Sequence, residues 1–147
     1  MDEHGYVVNV DGAVYRDGAY LFIERGADEN HAAGALAFPG GTLEAPAGTA
    51  DAIERTATRE LAEEVGVEVG NVTYVCSSAF AADGGTPCLN VVTLCEYDGG
   101  QAHVRQPGEV AAVHWLSVDD LRDRDDAPPY LLEYVDRVEA VRQGSSS

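Results

Sequence analysis

The chain contains no lysine: all nine of its basic residues are arginine, set against 26 acidic residues in 147, for a formal charge of −17. A chain with so few cations lacks the basic face that nucleic-acid polymers and anionic membrane surfaces require, which excludes both as expected main partners. High acid without lysine fits adaptation to high salt, where screening shortens to about 3 Å at 1 M. A GC-rich coding bias toward Ala, Gly, Val, Asp and Arg is the alternative. Cysteine is sparse as well. Cys76, Cys88 and Cys95 form no CxxC pair and have no clustered histidines, so neither a disulfide framework nor a zinc site is indicated. No run approaches the ~18 apolar residues of a membrane span. The start, MDEHGYVVNV, has neither the basic region nor the apolar stretch of a secretion signal, so the expected location is cytoplasmic.

What is present is a chain of single-domain length with 45% hydrophobic residues, enough to bury a core without staples. Residues 6–10 and 19–24 read as strands joined through the Asp17-Gly18 hairpin turn, with Asp11-Gly12 as a bulge or kink in one long first strand. A polar loop over 26–35 leads to LAFPGG at 36–41, and Pro-Gly-Gly interrupts regular structure. Residues 72–80, 88–97 and 110–116 read as further strands, and Ser117 opens a short helical turn. An amphipathic helix over 129–142 follows, with 143–147 expected to be a disordered tail. Cys76 and Cys95 fall in apolar strand runs and read as small core residues. Strands and helices mix without regular βα alternation, which predicts an α+β fold with a mixed sheet, in one domain spanning 1–147.

From Asp51 to Val65 the apolar residues Ile53, Ala57, Leu61 and Val65 recur every four residues, predicting a helix that Gly66 ends and that Asp51 with Glu54 could cap. Glu60, Glu63 and Glu64 lie at i, i+3 and i+4 on it, where like charges repel. They also sit near the helix C-terminus, the unfavourable end for negative charge. A solvated helix face accounts for Glu63. It does not account for Glu64, which falls inside the apolar sector at about 100° per residue. A carboxylate aimed at a core must be paired, protonated or bound to a cation. Arg59 neighbours Glu63 on the helical wheel and is less well placed for Glu64. Three carboxylates on one face suit a hard divalent cation, Mg²⁺ or Mn²⁺.

PGG followed by RELAEEVGV resembles the Nudix box, G-x5-E-x7-R-E-U-x-E-E-x-G-U, where U is bulky and apolar. Arg59, Glu60, Leu61, Glu63, Glu64, Gly66 and Val67 match its second half at every specified position. The first half departs: nine residues, Glu44 among them, separate Gly41 from the acid that keeps the x7 spacing to Arg59, and that acid is Asp51 rather than Glu. This reads as a four-residue insertion before the helix, with Asp51 either standing for the family's first Glu or serving as a helix cap. The flanking strand–DG–strand start and EVAAVHWLSVDDL extend the likeness over about residues 6–121.

The resemblance implies an α/β/α sandwich that hydrolyses a nucleoside diphosphate-linked small molecule at the pyrophosphate, with Mg²⁺ or Mn²⁺ as cofactor. It places Glu60, Glu64 and the Gly40 carbonyl as metal ligands. Glu63 is either a second-metal ligand or the general base. Glu109 is a second candidate base or a solvated loop residue, and Arg59 orients the glutamates. Glu44 could approach the site, and Arg25 and Arg105 could meet phosphate. Tyr6, Phe38 and Phe80 are either base-pocket or core residues, while His31 and His114 lack partners at ligand spacing. A Nudix-fold sensor that binds nucleotide without hydrolysis is the alternative, favoured only by the altered first half of the box. The family also admits a homodimer, which nothing in the sequence itself indicates.

Overall fold

The computed structural model describes residues 5–26 and 34–144. His31 and the tail residues 145–147 lie outside them, as do the loop positions 27–33; Gln143 and Gly144 belong to the last helix. The elements are β1 (Val7–Arg16), β2 (Ala19–Arg25), β3 (Leu36–Ala37), β4 (Gly40–Thr42), α1 (Ala52–Val65), β5 (Glu68–Ala81), β6 (Pro87–Gly99), β7 (Val110–Leu116), α2 (Val118–Arg122) and α3 (Pro129–Gly144). The strands form one mixed sheet with the path β3-β2-β1-β6-β5, while β4 pairs with β1 and β7 with β2.

Strand β1 organises the molecule. It runs parallel to β6 in unbroken register from Val7 opposite Cys88 to Tyr15 opposite Glu96. On its other side it pairs with β4 at Asn9–Asp11 and with β2 only at Tyr15 and Arg16. The strand neighbours of β1 therefore part company, and the cleft described below is lined from both sides of that parting. The expected bulge at Asp11-Gly12 is absent. Gly12 instead lets α1 approach, since a Cβ there would lie 2.8 Å from Leu61 Cδ1. The Asp17-Gly18 turn forms as expected, with φ of 51° and 87°, the paired positive values that match hairpin twist.

The apolar stripe of α1 packs Ala57, Leu61 and Val65 against Val10, Val14, Leu21 and Cys95 on one face of the sheet. The other face carries Leu121 of α2 and Leu131, Val135 and Val138 of α3, over Ala13, Tyr20, Phe22 and Val92. Each such buried side chain contributes about 1.5–3 kcal/mol, which is what holds two helical layers to the sheet. The result is the anticipated α/β/α sandwich. All three cysteines are free and buried, including Cys88. Among the described residues, no helix is long and apolar enough to cross a membrane.

The start of α1 differs from expectation. Asp51 takes a left-handed conformation (φ 54°) and its side chain makes no capping bond, so no capping box forms with Glu54. The carboxylate is exposed, and the first turn is braced instead by Arg55 Nε donating to the Ala50 carbonyl at 3.0 Å. The other end follows the sequence: Gly66 is left-handed at φ 74° and donates back to Ala62, closing the helix.

Candidate active site

A cleft of about 500 Å³ opens between α1, β1, β4 and the loop before β7. Its lining brings together Glu60, Glu63, Glu64, Gly40, Glu109, Glu44 and Arg25, residues scattered over more than eighty positions of sequence. Arg105 is elsewhere: its guanidinium donates to the Ala62 carbonyl at 3.0 Å and caps the end of α1. Phe38 does line the cleft, as a buried ring stacked on Phe22 at 5.2 Å. Tyr6 and Phe80 are not core residues: they are 57% and 50% exposed and lie outside the lining of this cleft. His114 pairs with Glu24 at 2.6 Å, an ion pair whenever the imidazole is protonated, although the sequence showed it no partner.

Glu64 is the centre of the site. It is 4% exposed, and burial pushes its carboxyl up from 4.5 to about 7. One bond, from the Gly40 backbone N–H at 3.1 Å, favours the ionised form. The charges of Glu60, Glu109 and Asp11 oppose it. Glu60 is better compensated, with Arg59 Nη2 at 3.0 Å. Arg59 also reaches the carbonyl of Glu44 at 3.3 Å, so it ties α1 to the β4 connector while orienting Glu60. Glu63 is exposed at the rim. Glu109 is held facing the cleft because its loop packs on bare backbone: Gly26 N–H donates to the Glu109 carbonyl at 2.8 Å, and a Cβ on Gly26 would lie 2.5 Å from Gly108 O.

The glycines of PGG are explained by contact. A Cβ on Gly41 would stand 2.3 Å from Glu60 Oε1, and one on Gly40 would stand 2.2 Å from the Val10 carbonyl. They let β4 lie flat between β1 and the carboxylates of α1. The donors are all hard oxygens, and the buried Glu64 has carboxylates rather than a cation around it, so the donor set suits a hard divalent cation. Among the described residues no three acid, histidine or cysteine side chains already enclose a single ion. Arg59 engages only Oε2 of Glu60 and the Gly40 N–H only Oε1 of Glu64, which leaves an oxygen on each carboxylate for an ion.

Three residues of the cleft region were not picked out from the sequence. Asp11 is buried enough that its carboxyl is pushed up to about 6, and it accepts bonds from Asn9 Nδ2 at 2.9 Å and Asn90 Nδ2 at 3.1 Å. Asn9 Nδ2 also donates to Asn90 Oδ1 at 2.8 Å. The available signal was Asn9 and Asp11 at alternate positions of an apolar strand, which puts two polar groups on one face.

Comparison with known proteins identifies the fold and the family. The fold matches the crystal structure of a MutT NUDIX hydrolase from Burkholderia pseudomallei with a TM-score of 0.75 and 25% identity, over 92% of this chain and 99% of that one. It matches the solution structure of the E. coli ORF135 protein with a TM-score of 0.69 and 27% identity, over 94% and 91%. In sequence, 71 residues are 34% identical to the NAD-capped RNA hydrolase NudC of Escherichia coli O1:K1, covering 48% of this chain. That match spans about a quarter (26%) of the length of the curated relative. The NUDIX domain model matches residues 5–137, nearly the whole described structure and every carboxylate of the cleft. The chain belongs to the Nudix family.

Proposed function

We propose that the protein is a metal-dependent hydrolase of nucleoside diphosphate-linked small molecules, acting at the pyrophosphate. The observation that carries this reading is Glu64: a nearly buried carboxylate, surrounded by Glu60, Glu109 and Asp11, is costly to ionise without a cation beside it. A divalent cation bound by Glu60, Glu64 and Glu63, with the Gly40 carbonyl as a further donor, would neutralise the diphosphate oxygens and lower the pKa of an attacking water.

The chain's own groups carry the remaining work. Arg59 fixes the Glu60 carboxylate. The Gly40 N–H fixes Glu64 from the opposite wall. Glu63 at the rim, or Glu109 across the cleft, takes the proton as water oxygen bonds to phosphorus and the bridging P–O bond breaks. Arg25, on the β2 side, offers positive charge to the phosphate oxygens. The strong negative field of the chain is consistent with a small anionic substrate delivered to a cation site, at the high salt to which the composition points.

The test is turnover of a panel of nucleoside diphosphate derivatives with Mg²⁺ or Mn²⁺ at high salt, comparing wild type with Glu64→Gln. Turnover by wild type that collapses in the variant supports the reading. Undiminished turnover in the variant overturns the metal site, and binding without any turnover makes the chain a nucleotide sensor.

A further inference from the structure

The sheet register extends the cleft into a shelf. Directly paired residues share a face, so Val7, Cys88 and Phe80 form one row across β1, β6 and β5. Asn9, Asn90 and Ser78 form the next, and Asp11, Val92 and Cys76 the third. Asp11 lies opposite Gly40, whose N–H meets Glu64. Going outward from the carboxylates, the shelf therefore presents Asp11, then an amide row, then an apolar row. Successive rows are about 7 Å apart, roughly the width of one ring. Val7 at 44% and Phe80 at 50% exposure leave the two ends of the apolar row open, on either side of the buried Cys88.

We propose that Asn9, Asp11 and Asn90 determine substrate choice by binding the part of the substrate beyond the diphosphate through adjacent hydrogen-bond donors. Such donors are the N–H groups along a guanine-type base edge, or the hydroxyls of a vicinal diol on a sugar. The inference rests on the hydrolase reading only in placing the diphosphate at the glutamates.

The hydrogen-bond inventory selects that chemistry. An ionised carboxylate only accepts, so Asp11 fixes both amides with their nitrogens toward it. Both N–H groups of Asn9 are then used, one on Asp11 and one on Asn90. One N–H of Asn90 is used on Asp11. What remains is the Asn9 carbonyl oxygen, the spare lone pairs of the Asp11 carboxylate and one N–H of Asn90: acceptors outnumber donors, and they stand side by side. Asn9 and Asp11 are partly exposed and line the cleft, so the acceptors can be reached. A cluster serving packing alone would face the core with its capacity filled, and this one faces the cleft with acceptors to spare. The Phe80 row supplies the flat apolar contact that a ring or a sugar face needs beside its polar edge.

The experiment measures kcat/KM with Mg²⁺ for two substrate pairs, each differing by one donor. GDP-mannose is set against its inosine analogue, which lacks the 2-amino group, and UDP-glucose against UDP-2-deoxyglucose. Calorimetric Kd values are taken for the same pairs. Wild type is expected to prefer the donor-bearing member of one pair by at least about tenfold. Asn9→Leu, Asn90→Leu and the conservative Asp11→Asn should each bring that ratio to within about twofold; a purely structural defect would lower both members alike. Preference in the first pair names the base as the donor source, and preference in the second names the sugar. If nothing is turned over, the hydrolase reading fails, and the Kd ratios still decide this inference. It is overturned if neither pair is discriminated in rate or binding, or if the ratio survives in all three folded variants.

Discussion

The molecule carries two charged clusters, one at α3 and one in the cleft, and they are built on opposite plans. On the α3 side every acid of the network has its base. Glu139 accepts from Arg142 at 3.0 Å and from the Tyr20 hydroxyl, Asp136 meets Arg122 at 2.7 Å, and Asp126 takes Arg124 in two bonds of 2.9 Å. Arg142 also stacks 4.0 Å over Tyr15. The carboxyls of Glu139 and Asp126 are held below the usual range: hydrogen bonds from Arg142 and Tyr20 outweigh burial for the first, and those from Arg124 act on the second. The cleft side gathers six acids, Asp11, Glu44, Glu60, Glu63, Glu64 and Glu109, with Arg25 as the arginine of its lining. There the two resolved shifts, at Glu64 and Asp11, are upward. Balanced charge fastens a helix to a sheet; unbalanced charge is a standing demand for a cation. In a chain this short of basic residues, where the arginines are spent is informative.

The contrast can be broken from either side. The largest effect is expected from Glu64→Gln, which should lower turnover by at least about two orders of magnitude, about 2.7 kcal/mol of barrier, in steady-state assays with Mg²⁺. The mirror experiment is Glu139→Gln. It leaves Arg142 without its carboxylate and should destabilise the fold by about 1–2 kcal/mol in urea melts, with turnover nearly unchanged. Third, Gly41→Ala drives a Cβ into the Glu60 carboxylate, the mobile end of a side chain, so stability should barely move while kcat falls about tenfold.

The smallest effect is a pH dependence of the metal-free protein. Between 4.5 and about 7 the native state holds a proton on Glu64 that the unfolded chain releases. Stability from this group is therefore present at low pH and lost as pH rises through about 7. Thermal melts in chelator should show the midpoint falling over that window, with a shallower fall in Glu64→Gln.

How much of this the sequence disclosed follows from the range of the interactions. Helix α1 and its three glutamates were legible because a helix writes both its apolar stripe and its anomalous Glu64 within a dozen neighbouring residues. The strands were legible in their apolar centres, and β5 began earlier than expected because Val69-Gly70-Asn71 is weak in strand propensity yet follows β6. Strands β3 and β4, of two and three residues, exist only through their partners. The Asn9–Asp11–Asn90 cluster was hidden for the same reason: Asn90 is 81 and 79 residues from Asn9 and Asp11 and meets them only through the parallel β1–β6 register. Asp51 misled because its type suits a cap while its backbone is left-handed.

The central claim is that the cleft's carboxylates, Glu64 above all, form a divalent-cation site. Thermal melts at pH 8 with and without Mn²⁺ test it most directly, because they read the cation without needing a substrate. Mn²⁺ should raise the melting midpoint of the wild-type protein by several degrees and leave Glu64→Gln essentially unmoved. An equal rise in both proteins would contradict it.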